Sequence, residues 1–210
     1  MMSIVLLCCL WVLWCTLHSA LISLTVTRFL HRRLEPVFHW YRLAFNGFSL
    51  ITFLVLAVLT LSLDSPAIMQ WQGYWILLRV AMLAASVALL RAGAKGYDMG
   101  QFLGLSQIEN RSSSMSLAET GALDLSGIRA WIRHPWYLAT LLFIWSWWWE
   151  VRLSFLAVNI LLTIYVIIGT ILEENKLVRT YGKAYELYQQ RVPMLIPCKW
   201  PERGNTDRTE

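Results

Sequence analysis

Five long apolar stretches, separated by polar connections, set the strongest constraint on how this chain of 210 residues can fold. A membrane-crossing helix needs roughly 20 apolar residues to span about 30 Å of hydrocarbon. Hydrophobic residues make up 57% of the sequence and charged residues 15%, which is more hydrophobic than a soluble domain. The pattern predicts an all-α integral membrane protein with about five transmembrane helices. The stretches cover residues 3–26, 44–63, 74–90, 136–149 and 153–172.

The ends of these stretches refine the prediction. The fourth stretch is short, and only residues 150–152 separate it from the fifth, so we expect these two to form a tight helical hairpin. The first stretch has no basic residue before its apolar core and is longer than the core of a typical secretory signal. We therefore expect it to be a retained helix.

Basic residues are concentrated in the connections that follow the first and third stretches. The positive-inside rule then places the N-terminus outside and the C-terminus in the cytoplasm. Attraction of these residues to anionic headgroups explains the net charge of +5, so the expected partner is membrane lipid and not nucleic acid. The basic residues concerned are Arg28, Arg32, Arg33, Arg42, Arg91, Lys95, Arg111, Arg129 and Arg133.

The cysteines indicate neither a disulfide framework nor a metal site. Cys8, Cys9 and Cys15 lie in the first apolar stretch, where a free thiol behaves as a small hydrophobic group. Together with Cys198 they show no metal-ligand spacing with histidine. We expect no bound metal.

Two polar segments stand apart from the lipid-facing stretches. Residues 91–133 form a long, glycine-containing connection, which is either a functional loop or a flexible one. In the segment 173–197 apolar and aromatic residues recur at helical spacing, ending at Pro193 and Pro197. This predicts a cytoplasmic amphipathic C-terminal helix, lying on the membrane or over the mouth of the protein. The recurring residues are Leu177, Val178, Tyr181, Tyr185 and Tyr188.

A candidate site is found where the fourth stretch begins and the fifth ends. Residues 131–137 combine cations, an imidazole, a helix-starting proline and aromatic rings. Glu173 and Glu174 lie at a helix C-terminus, where carboxylates are unfavourable unless a positive group compensates them. The compensating group is either a surface lysine or arginine on the same helix, or a ligand. The hairpin would bring both acids close to Arg133, His134 and Tyr137.

These residues resemble the catalytic half of the isoprenylcysteine carboxyl methyltransferase superfamily. The resemblance rests on residues 126–137 with their Arg-His-Pro-Trp-Tyr run, on the hairpin, and on the paired acids with the tyrosines that follow, and it covers roughly residues 95–197. The superfamily also contains phospholipid N-methyltransferases and bacterial methanethiol S-methyltransferases. Features of the N-terminal half, such as residues 41–46, are most similar to the methanethiol S-methyltransferase and NnrU-like branch.

The resemblance implies a methyltransferase of the bacterial inner membrane that uses S-adenosyl-L-methionine. It divides the chain into an acceptor-side region of three transmembrane helices (1–90), a cofactor-binding catalytic half (91–200) and a polar tail (201–210). His134 is also the nearest candidate for a catalytic base, although the resemblance assigns it to the cofactor first. One of the two acids matches the family's cofactor-contacting acid, and Arg129 stands where a tyrosine is common. The implied cofactor contacts are Leu123, Arg129, His134, Pro135, Trp136, Tyr137, Glu173 and Glu174.

One difference from the carboxyl methyltransferases narrows the range of methyl acceptors that this chain could use. Those enzymes have an arginine about one turn before the paired acids, whereas residues 168–171 of this chain contain no cation. A small thiol, or another small or lipophilic acceptor, is therefore favoured over a prenylcysteine carboxylate or a phospholipid amine. We expect His18, Arg42 and Asn46 to line an acceptor pocket, unless they only form hydrogen bonds between helices. The main alternative function is that of a non-catalytic NnrU-like membrane sensor or accessory protein.

Overall fold

A computed structural model describes residues 3–96, 98–111 and 125–197. Leu123, one of the predicted cofactor contacts, lies outside this part of the chain. The helices are α1 (Ile4–Ile22), α2 (Leu24–Arg33), α3 (Tyr41–Ser62), α4 (Trp75–Ala94), α5 (Met99–Leu103), α6 (Leu105–Glu109), α7 (Pro135–Ser146), α8 (Leu153–Tyr181) and α9 (Lys183–Arg191). Short 3-10 helices cover Glu35–Trp40 and Gly127–Ala130, and the strands are β1 (Ala67–Gln70) and β2 (Glu150–Arg152).

Within the described ranges four helices are long and apolar enough to cross a membrane: α1, α3 with the preceding 3-10 helix, α4 and α8. The fifth predicted crossing corresponds to α7, which has 12 residues. At 1.5 Å per residue this helix is roughly 18 Å long, shorter than the hydrocarbon layer. The described residues thus form a mostly helical membrane protein with four full-length candidate spans and one shorter helix.

The first apolar stretch is not one helix up to residue 26. It is interrupted at Ser23, whose extended backbone ends α1 and begins α2. The Ser23 hydroxyl donates to the Ala20 carbonyl (2.7 Å) and accepts from the Val26 amide (3.4 Å). A serine can serve both helix ends in this way because its side chain bonds to nearby backbone groups. The interruption separates the apolar α1 from the basic α2.

Two groups of packed helices form the body of the molecule. In the first, one face of α1 packs on α3 and α8, and the Trp11 indole donates to the Thr60 hydroxyl of α3 (3.0 Å). In the second, the Ser86 hydroxyl of α4 donates to the Ala139 carbonyl of α7 (2.8 Å), and both residues are fully buried. Small residues at such contacts allow helix backbones to approach closely in a membrane.

The all-α prediction misses a small sheet. β1 and β2 pair antiparallel, with Gln70 opposite Glu150, so the connection between α7 and α8 is a strand and not a bare helical turn. The Ser65 and Ser154 hydroxyls, 2.8 Å apart, join the first of these connections to the start of α8. We call this the sheet end of the bundle. The opposite end, where α7 begins and α8 passes Glu174, is called the site end.

The C-terminal segment also differs from its prediction. Helix α8 continues to Tyr181, past the predicted end at residue 172, and Gly182, with a φ of 56°, separates it from α9. Tyr185 and Tyr188 of α9 are buried, and they pack with Val192 and the last turns of α8. The amphipathic pattern therefore faces the protein's own site end, which is the second of the two predicted placements, over the mouth of the protein, and not on the membrane.

Candidate functional site

The segment that precedes α7 is held in place by its backbone. The amides of Arg133 and His134 donate to the carbonyls of Pro193 and Met194, at 3.0 and 3.1 Å. Pro135 then occupies the first position of α7. A backbone amide at this position has no carbonyl partner within the helix, so the missing amide proton of proline costs no hydrogen bond. This arrangement places the Arg133 and His134 side chains between the start of α7 and the end of α8.

Glu174 lies at the centre of the site and is hydrogen-bonded by four side chains. Arg133 forms two parallel bonds to it (3.0 and 2.7 Å), and His134 Nε2 lies 2.5 Å from its Oε1. The Tyr185 hydroxyl and the Gln189 amide each donate to it at 2.6 Å. Because a carboxylate can only accept, we assign the shared proton to His134 Nε2. The side chain of Glu174 is 8% exposed, so its charge is buried and fully compensated.

Arg133 connects this carboxylate to the C-terminal segment. Its guanidinium also donates to the carbonyl of Gln189 (3.0 Å) and to that of Val192. A single buried cation thus joins the start of α7, the end of α8 and the end of α9. Such a fully bonded network fixes the relative positions of the segments that contribute to it.

Glu173 is in a different environment from its neighbour. Its side chain is 37% exposed, and it accepts a hydrogen bond from the Tyr137 hydroxyl. His134 Nδ1 lies 3.8 Å from the same carboxylate, and the His134 and Tyr137 rings stack with centroids 5.3 Å apart. Glu173 therefore presents a reachable carboxylate beside aromatic faces.

Tyr185 is a neutral donor in this network. Burial raises the pKa of its phenol well above the ordinary value, and the hydrogen bond to the Glu174 carboxylate raises the pKa further. The hydroxyl therefore keeps its proton and donates it to Glu174. The sequence indicated Tyr185 and Gln189 only as parts of an amphipathic helix. Their spacing of four residues, which places both polar ends on one face of α9, was the available signal.

The other predicted cofactor contacts connect to different elements. The Trp136 indole donates to the Leu90 carbonyl of α4 (3.0 Å) and packs against Gly93. The Arg129 guanidinium donates to the Gly96 carbonyl (3.2 Å), while its own carbonyl accepts from Tyr188 (2.6 Å). The structure thus brings His134, Tyr137, Glu173 and Glu174 together. Trp136 and Arg129 are instead hydrogen-bonded to the end of α4 and the residues just after it.

The three predicted acceptor residues have different partners in the structure. His18 lies 3.2 Å from the Ser49 hydroxyl and lines an apolar cavity of about 240 Å³ between α1 and α3, which Arg42 and Asn46 do not line. The Asn46 amide donates to the carbonyls of Phe102 and Leu103, both at 3.1 Å. Arg42 Nε also donates to the Phe102 carbonyl (3.1 Å). Arg42 and Asn46 therefore hold α5 against α3.

Among the described residues, no group of three or more histidine, cysteine, aspartate and glutamate side chains is arranged to hold a metal ion. In the described part of the site the ionisable groups are the two carboxylates, one guanidinium and one imidazole. Such a set can accept hydrogen bonds from ligand hydroxyls and attract a cationic ligand through Glu173.

The fold and the site define a helical membrane protein with a carboxylate cluster at one end of its bundle. The chain is 38% identical over 76 residues to a methanethiol S-methyltransferase of Pseudomonas deceptionensis. The matched residues cover 36% of this chain and 29% of that relative. It is also 41% identical over 70 residues to methanethiol S-methyltransferase 1 of Bradyrhizobium diazoefficiens, and this match covers 32% of this chain and 24% of the relative. The matches thus span less than a third of the length of these relatives.

These relatives confirm the resemblance to the methanethiol S-methyltransferase branch that the sequence motifs indicate. A further methanethiol S-methyltransferase, from Crocosphaera subtropica, is 39% identical over 69 residues, or 32% of this chain and 26% of the relative. No protein family model matches the chain, and no solved structure matches it.

Proposed function

We propose that this protein is an integral membrane methyltransferase that transfers a methyl group from S-adenosylmethionine to a small thiol. The observation that carries the proposal is the convergence of His134, Tyr137 and a half-exposed Glu173 at the site end, in a chain similar to methanethiol S-methyltransferases. The site would face the cytoplasm of a bacterial cell, where the methyl donor is made.

The residues at the site end fit the chemistry of this donor. When bound, S-adenosylmethionine supplies an electrophilic methyl group on a sulfonium cation. The Glu173 carboxylate offers a counter-charge or a hydrogen-bond acceptor for ribose hydroxyls, and the ring faces of Tyr137 and His134 suit an onium group. The bonds of the Glu174 cluster hold these side chains in position before the ligand arrives, which lowers the entropic cost of binding.

The environments of the two acids support different roles for them. The Glu174 carboxylate is buried and hydrogen-bonded by four side chains, so a ligand would have to break that network to reach it. Glu173 is 37% exposed and makes its hydrogen bond with Tyr137. In this proposal Glu173 faces the methyl donor, and Glu174 holds α7, α8 and α9 together.

The reaction requires little chemistry from the protein itself. Methyl transfer is an in-line displacement, so holding the two reactants in line and excluding water supplies much of the rate. No protein nucleophile is needed. With Nε2 of His134 bonded to Glu174, the imidazole is better suited to fix the site than to remove a proton.

A calorimetric titration of the purified protein with S-adenosylmethionine tests the proposal. We expect saturable binding by the wild type, at least about tenfold weaker binding by Glu173→Gln, and unchanged binding by Glu186→Gln, a control at an exposed position of α9. Absence of binding by folded wild-type protein would contradict the enzymatic proposal and favour the sensor alternative.

The acceptor is then tested by supplying the protein and donor with methanethiol, a prenylcysteine or phosphatidylethanolamine. We expect methylated volatile thiol in the headspace and no methylation of the other two compounds. Methylation of the prenylcysteine or the lipid alone would replace the thiol as the proposed substrate.

A further inference from the structure

Arg42 is a buried cation for which the described part of the chain provides no counter-ion. It lies in the first turn of α3 and is 6% exposed. Its Nε donates to the Phe102 carbonyl at 3.1 Å. Within the described residues no carboxylate lies within 4.0 Å of its guanidinium, and the two Nη groups make no hydrogen bond. Four N–H donors of a buried charge are thus available to a ligand.

Holding α5 against α3 does not require a charge. Asn46, one turn further along α3, donates to the same Phe102 carbonyl with a neutral amide. A buried guanidinium carries a large desolvation penalty unless an anion compensates it. An ionisable residue of this kind in a membrane-spanning segment is by default a functional candidate whose partner has to be identified.

Two aromatic side chains, Phe102 and Trp136, connect Arg42 to the start of α7, where the candidate site lies. Its guanidinium carbon lies 5.6 Å from the centre of the Phe102 ring, and that ring meets the Trp136 ring edge to face at 5.2 Å. Trp136 follows His134 and Pro135 directly in the chain. Gly104 allows this close packing, since a Cβ there would lie 2.7 Å from the Leu43 amide nitrogen.

We propose that the Nη groups of Arg42 bind the methyl acceptor as an anion, namely a small thiolate. This inference rests on the proposed function. An acceptor that stays neutral would leave the guanidinium uncompensated, whereas a thiol reacts through its anion and a nearby cation favours that form. The burial of Arg42 against the Phe102 ring selects a small and weakly hydrated anion over a large one.

Methyl transfer to the bound acceptor proceeds through its thiolate. The thiol first loses its proton to solvent. The thiolate sulfur then forms a bond to the methyl carbon of the donor, while the bond from that carbon to the sulfonium sulfur breaks and its electron pair stays on the departing thioether. The product is a neutral methyl thioether, which Arg42 no longer attracts, so its release is favoured.

Thiocyanate, a small monoanion of sulfur, can test this binding without turnover. The measurement is a calorimetric titration of thiocyanate into protein saturated with S-adenosylhomocysteine, which has no methyl group to transfer. We expect Arg42→Gln to bind thiocyanate at least about tenfold more weakly than the wild type and to retain S-adenosylhomocysteine. Arg28→Gln removes the same charge from an exposed position of α2 and should leave both affinities unchanged.

Arg42→Lys provides a second test if Arg42→Gln does not fold. It keeps the charge but loses the guanidinium fork, so we expect thiocyanate affinity to fall by roughly threefold or more. Unchanged thiocyanate affinity in the folded variants would overturn the inference, as would a wild type that binds S-adenosylhomocysteine but not thiocyanate. In both cases the proposed function would stand. A folded wild type that does not bind S-adenosylhomocysteine would reject the proposed function and this inference together.

Discussion

Glu173 and Glu174 show how two adjacent and identical residues can have different tasks. Successive residues on a helix point about 100° apart, so one carboxylate of α8 faces Arg133 and the other faces the open side. The sequence predicted that both acids would lie near Arg133, His134 and Tyr137. It could not tell them apart, because the rotation of α8 about its axis is set by packing against α7 and α9.

Glu174→Gln should therefore destabilise the protein more than Glu173→Gln does. The first change leaves Arg133 buried without its counter-charge, and breaking a buried pair of this kind costs about 3 kcal/mol or more. Glu173 is more than a third exposed, so its replacement should change stability by less than about 1 kcal/mol. The measurement is the melting temperature of the two variants in detergent. Equal melting temperatures would show that the four-partner network contributes no more than an exposed carboxylate.

Tyr185 predicts a pH dependence of stability. Its pKa in the folded protein is raised above the ordinary value of 10.0 by burial and then by the Glu174 carboxylate. At pH values above 10.0 but below the folded pKa, the unfolded chain loses the phenolic proton whereas the folded chain keeps it. The free energy of unfolding therefore falls as the pH rises through this range. Below pH 10.0 both states are protonated and the contribution is constant.

The wild type should consequently lose stability on going from pH 9 to pH 11 more steeply than Tyr185→Phe, which has no phenol to titrate. Melting temperatures across this range measure the difference. Tyr74→Phe is the control, because Tyr74 is 91% exposed, and its profile should follow that of the wild type. Parallel profiles for the wild type and Tyr185→Phe would contradict the proposed neutral donor.

At the scale of elements, the close contact between α4 and α7 depends on Gly93. A Cβ at this position would lie 2.5 Å from Trp136 Cδ1, so an alanine must displace the indole or move the helices apart. Because overpacking of this kind usually costs about 1–3 kcal/mol, Gly93→Ala should lower the melting temperature. The control is Gly47→Ala in α3, where a Cβ meets nothing within 4 Å and helix propensity favours alanine. If both variants melt alike, Trp136 adapts without loss.

Elements differed in how well the sequence predicted them. The apolar stretches located the helices, because hydrocarbon thickness imposes a length on each span. The sheet was missed because β1 and β2 are only four and three residues long, too short for a recognisable pattern, and form by pairing two connections that lie far apart in the chain. The sequence left open whether tail helix α9 lies on the membrane or over the mouth of the protein. In the structure Tyr185 and Tyr188 face inward, because their hydroxyls find acceptors in Glu174 and the Arg129 carbonyl.

At the scale of the whole molecule, the two ends of the bundle differ in charge. The connections at the site end include the basic turn of α2 and the segment before α7, while Asp64, Glu150 and Arg152 form ion pairs at the sheet end. The positive-inside rule predicts that the site end faces the cytoplasm. That orientation would give Glu173 access to a donor made there, so the proposed function requires this topology.

Labelling of single cysteines with a membrane-impermeant maleimide tests this orientation in a variant whose four native cysteines are replaced. Asp64→Cys, at a fully exposed position of the sheet end, should react in intact cells. Lys183→Cys, at an exposed position of α9, should react only after the membrane is opened. The reverse pattern would place Glu173 on the side without donor, and the methyltransferase proposal would then fail even if the isolated protein binds S-adenosylmethionine. Topology is thus an independent condition on function, since a site that binds the donor also has to face it.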